Sequence, residues 1–64
     1  MAELNTKANI KVPDEFYAEL LAVHEGLGKA ESDALNARLI LLLANHIGDR
    51  QVLSEALQAA ALKE

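Results

Sequence analysis

The chain has no cysteine, no tryptophan, one proline, three glycines, and one phenylalanine and one tyrosine as its only aromatics. Without cysteine there are no disulfides, no thiolate zinc sites and no cysteine nucleophile. With only Phe16 and Tyr17 as aromatic rings, any core must be aliphatic, of the leucine and alanine type. Positive charge is also scarce: six lysines and arginines stand against ten aspartates and glutamates, a net charge of −4. Such a surface repels phosphate backbones, so nucleic acid is a disfavoured partner. Met1 to Leu4 shows neither the basic nor the apolar region of a secretory signal. The longest apolar run, 39–44, falls far short of the ~20 residues that span a bilayer. The expectation is a cytoplasmic, bacterial-type protein with no membrane association.

What remains is 64 residues, 52% of them apolar, enough for one domain over 1–64. Area scaling predicts that a chain of this mass buries about 60% of its unfolded surface, a marginal fraction. Small domains compensate with disulfides, a metal or oligomerisation. With no cysteine and only His24 and His46 as soft ligands, oligomerisation or a partner chain is left.

Residues 1–12 carry no helical period, and Lys7 to Val12 alternates polar and apolar, which suits an extended arm or a short strand. Pro13 suits a first helical position, and Asp14 and Glu15 complement a helix N-terminus. Phe16, Leu20, Val23 and Leu27 then form one stripe, with Tyr17, Leu21 and His24 as a second ridge beside it. A first helix over about 13–26 is expected to end in the Gly26/Gly28 segment. The second, about 30–47, ends at Gly48, and Asp49 is suited to cap a third over about 50–62. The result is an all-α, three-helix domain with an extended N-terminal arm.

The second helix carries the most informative feature, Leu39-Ile-Leu-Leu-Leu-Ala44. Six consecutive apolar positions leave no polar face, whereas a surface helix is apolar on one stripe only. Such a helix is expected to lie between the other two and still present Leu41 or Leu42 outward. Leu39, Ile40, Leu43, Ala44 and Ile47 cover one half of it; Arg38 and Asn45 share a polar stripe flanked by Leu42. In the third helix Val52, Leu53, Ala56, Leu57, Ala59 and Ala60 make a broad apolar arc.

Chemistry-bearing residues are few. Tyr17 and His24 could pair, but acid/base work needs a pocket and a second group of displaced pKa. Packing or interface use is the better reading. His46 in the last turn of its helix suits the C-terminal carbonyls, and Asp49 lies within hydrogen-bond reach of it. The spacing from His24 to His46 is not a metal signature. Asn36, within the apolar arc, is either a paired buried amide that fixes register or a wet residue where the helices splay. Arg38 beside Leu42 is either an interface anchor or a partner for Glu31. No catalytic triad, phosphate-binding loop or carboxylate pair is present, so no enzyme activity, cofactor or metal is expected. The candidate partner-binding residues are Tyr17, Leu21, His24, Arg38, Leu42, Asn45 and His46.

Ala34-Leu-Asn-Ala-Arg-Leu39 followed by Leu41-Leu-Leu-Ala-Asn-His-Ile-Gly-Asp49 resembles the hallmark of a small bacterial family classed as a domain of unknown function. Leu4 to Thr6, Asn9, Pro13-Asp14, Phe16-Tyr17, Leu20 and His24 are similar to its pattern, so the likeness covers nearly the whole chain. The resemblance implies an accessory polypeptide for a catabolic enzyme, a flavin-dependent monooxygenase of aromatic-compound breakdown among them, and implies no catalytic residue. The order of short strand, proline and two helices also resembles ribbon-helix-helix repressors and antitoxins. There Lys7, Asn9 and Lys11 would enter the major groove from a paired strand. The acidic balance and the third helix argue against that second likeness. The function expected is therefore a non-enzymatic interaction subunit that packs on itself or on a larger enzyme.

Overall fold

A computed structural model describes residues 3–61. Met1 and Ala2 of the expected arm, and the expected helix end at Leu62, lie outside the described residues. An extended stretch leads into three helices: α1 (Pro13–His24), α2 (Lys29–Ile47) and α3 (Arg50–Ala60). Among the described residues there is no strand, and the Lys7 to Val12 alternation lies on irregular backbone. The chain is a small all-α domain.

Local chemistry fixes each boundary. Pro13 opens α1 without a side-chain cap; instead the Val12 carbonyl accepts from the N–H groups of Glu15 (3.1 Å) and Phe16 (3.4 Å). Val12 itself holds φ 47 and ψ 63, the left-handed region. A β-branched side chain is crowded there, and a residue before proline prefers extended backbone, so the strain is on the order of 1–3 kcal/mol. At the other end α1 stops at His24, two residues short of the expected boundary. The Glu25 N–H reaches back three residues to the Ala22 carbonyl (3.2 Å), tightening the last turn. Gly26, at φ 78, then reverses the chain.

The Glu31 carboxylate accepts from the Gly28 N–H (3.1 Å) and ties down the start of α2, while Lys29 and Asp33 pair one turn apart at 2.8 Å. At the far end Gly48 takes φ 69 and donates its N–H to the Ala44 carbonyl at 2.9 Å. Asp49 follows at once and accepts the Val52 N–H (2.9 Å), capping α3. This two-residue junction brings α2 and α3 into contact.

The helices do not close around a core: no described residue is buried. Leu20, Leu35, Leu39, Ala44, Val52, Leu53 and Ala56 are only half-buried. The accessible surface is 5962 Å². A compact folded monomer of this mass exposes about 4000 Å², and its unfolded chain about 10,000 Å². The isolated fold thus buries about 40% of the unfolded surface where about 60% is the norm for its size. The radius of gyration agrees: 13.6 Å is observed, and about 10.7 Å is expected for 64 compact residues. The all-α class holds, but α2 is not the covered middle of a sandwich. Its leucines face outward on several sides.

Candidate interaction surface

Two apolar surfaces dominate the molecule. The first is a groove of about 610 Å³ between α2 and α3, walled by Ile40, Leu43, Ala44 and Ile47 on one side and by Leu53, Ala56, Leu57 and Ala60 on the other. Arg50 and Ser54 also line it, and the Arg50 guanidinium donates to the Ser54 hydroxyl at 2.6 Å. Positions 40, 43, 44 and 47 follow the i, i+3, i+4, i+7 rule, so they share one face of α2. Ile40, Leu43, Ile47 and Leu57 are between 49% and 71% exposed. The second surface is the back of α2, where Leu41 is 70% and Leu42 69% exposed. Neither face is covered within the chain.

Of the candidate partner-binding residues, Tyr17, Leu21, Arg38, Leu42, Asn45 and His46 are all exposed, and His24 is half-buried. The structure does not gather them into one patch. His24 crosses from α1 to α2: its Nδ1–H donates to the Leu20 carbonyl (2.7 Å) and its Nε2–H to the Asn36 side-chain oxygen (2.9 Å). A neutral imidazole has one N–H and cannot donate to both acceptors, whereas the imidazolium can. The Leu20 hydrogen bond first, and the Asn36 hydrogen bond second, therefore hold the His24 pKa above its ordinary 6.5, against a small opposing effect of burial.

With both ring nitrogens engaged in this way, His24 does not pair with Tyr17. Asn36 is exposed and serves as the clasp between helices, which resolves its two readings toward a wet but paired amide. Arg38 lies two residues on, about 200° around α2, so it faces away from this clasp. Glu31 is occupied at the helix start, and among the described residues Arg38 makes no ion pair with it. Asp49 likewise spends its carboxylate on the α3 cap. Arg38, Leu42 and Asn45 thus form an outer patch on α2, separate from the α1 ridge.

The groove residues are legible in the sequence as apolar arcs, with α2 expected between the other two helices. Ile40, Leu43, Ile47 and Leu57 belong to an open surface instead. The signal for this was arithmetical: two apolar arcs, on α2 and α3, with only aliphatic side chains and alanines to fill between them. Among the described residues no three His, Asp or Glu groups converge as a metal set. No described helix is long and apolar enough to cross a membrane.

A small all-α domain with an unclosed apolar groove between α2 and α3 is the class this geometry defines. The chain belongs to the family described as Protein of unknown function (DUF2783), whose model matches residues 4–62. No curated protein and no solved structure matches it.

Proposed function

We propose that the chain is a non-enzymatic interaction subunit of the cytoplasm, whose apolar faces are completed by another protein surface: a copy of itself, a larger catabolic enzyme, or both. The observation that carries this is the missing core. The isolated fold leaves roughly 2000 Å² more surface exposed than a compact monomer would. A standard interface takes about 800 Å² from each partner. Exposed apolar patches such as the α2–α3 groove and the Leu41/Leu42 face mark interaction sites in soluble proteins. The family resemblance supports a catabolic partner such as a flavin-dependent monooxygenase, with Arg38, Leu42 and Asn45 as the outer contact.

The test is affinity purification of the tagged chain from its native host, followed by mass measurement of the intact complex. The reading expects an assembly heavier than one chain, lost with Leu42→Glu. Recovery of a monodisperse monomer, with Leu42→Glu behaving identically, would refute it.

The DNA-binding reading draws support from Lys7, Asn9 and Lys11, all exposed on the irregular backbone before Pro13. Against it stand the net charge of −4 and the bond from the Leu4 N–H to the Glu55 carboxylate (3.1 Å), which holds the arm's start on α3. Binding to duplex DNA with a steep salt dependence, weakened by Lys7→Ala or Lys11→Ala, would replace the interaction-subunit reading. No gel shift at moderate salt is expected.

A further inference from the structure

Resting on that reading, we infer that the occupant of the α2–α3 groove is a second copy of this chain, with α2 of each protomer lying antiparallel in the groove of the other. The groove is apolar in its middle, with charged groups beyond it at each end: Arg50 at one and the Lys29–Asp33 pair at the other. Ile40, Leu43, Ala44 and Ile47 make the middle, and Arg50 lines one end. Asp33 sits one heptad before Ile40, on the same face at the other end. A two-fold axis at the level of Leu41 and Leu42 sets Ile40 against the partner's Leu43 and brings Asp33 toward the end of the groove that the partner's Arg50 lines. The face is thus self-complementary in the way a two-fold interface requires. A parallel arrangement would instead set Asp33 on Asp33 and Arg50 on Arg50. Both groups stay exposed, with Asp33 held by Lys29 and Arg50 by Ser54, so the cross-chain pairs would sit at the rim.

Area favours this occupant. The excess of roughly 2000 Å² per chain is more than the ~800 Å² that each partner gives to a standard interface, so a seated α2 can be covered while the outer face stays open. Leu42, Arg38 and Asn45 remain on the outer face, free for the catabolic partner.

Because the chain has no native cysteine, oxidative crosslinking of the purified full chain reads the arrangement directly. Chains carrying Asp33→Cys are mixed with chains carrying Arg50→Cys. Both sites are exposed, and helix content is checked by circular dichroism. The expected result is a crosslink between the two variants and none from Asp33→Cys alone, whose two sites would lie about 25 Å apart along the helix axis. Rapid crosslinking of Asp33→Cys with itself, without the mixed product, would overturn the antiparallel arrangement. The native chain should sediment at twice its 6.9 kDa mass. Asp33→Arg alone should weaken association roughly two- to fivefold for each pair, and Asp33→Arg with Arg50→Asp should restore it. A monomeric mass in every condition would overturn the second copy as occupant. In that event, folding only with a catabolic partner would leave the interaction-subunit reading intact. A monomer whose melting does not depend on concentration, and which joins no complex, would end both.

Discussion

The two helix junctions are built from opposite materials. Between α1 and α2 the described hydrogen bond is polar: one half-buried imidazole bridges to one exposed amide, His24 to Asn36 at 2.9 Å. Between α2 and α3 there is a two-residue, doubly capped turn and a long apolar groove. A polar clasp in water contributes little, because water competes for both groups. An open apolar groove contributes little until something fills it. The first junction therefore sets an angle. On the proposed reading, the second stores stability that is realised on association, and the largest stabilising term lies between molecules rather than within one.

The groove is where that contrast should break most visibly. Leu43→Ala removes a side chain that is half-exposed in the isolated chain and buried in the proposed pair. The loss should be about 2–4 kcal/mol of assembled stability, read by denaturant unfolding, and the variant should also require higher concentration to assemble. If the groove were idle surface, the change would stay within about 0.5 kcal/mol. The capped turn comes next. Asp49→Ala removes the carboxylate that accepts the Val52 N–H and should cost about 1 kcal/mol, with α3 helicity the first to fall. Val12→Gly acts in the other direction. Relief of the left-handed strain at φ 47 should outweigh the added chain entropy and raise stability by about 1 kcal/mol, visible as a higher melting temperature.

The clasp itself should show the smallest effect, and a pH-dependent one. The folded-state pKa of His24 is raised above 6.5, so its contribution is fully present below pH 6.5 and is lost as pH rises through the folded value. Asn36→Ala should bring the His24 pKa back toward its ordinary value, measured from imidazole proton shifts. An unchanged titration would show that the Asn36 bond does not form in solution.

Much of the architecture could be read from local signals. Pro13, Gly48 and Asp49 act through the backbone within a few residues, so their positions placed three of the helix ends. The closing of α1 at His24 was harder, because an i→i−3 bond leaves no residue signature. The missing core was beyond local pattern. Ile40, Leu43, Ile47 and Leu57 are spaced as core residues are, and periodicity alone cannot say whether the facing surface comes from the same chain. Their apolar spacing was visible, and only the three-dimensional area showed that nothing within the chain covers them. Arg38, Leu42 and Asn45 were found as a stripe because a 100° wheel fixes neighbours on one helix. The His24–Asn36 clasp joins two helices and needed the fold.

The coupling of folding to association is tested most directly by thermal unfolding of the purified chain across a roughly hundredfold range of concentration, with sedimentation at each end. The account predicts a melting temperature that rises with concentration and a helical signal that fades on dilution together with the assembled mass. A concentration-independent melting temperature, from a cooperatively folding monomer, would contradict it.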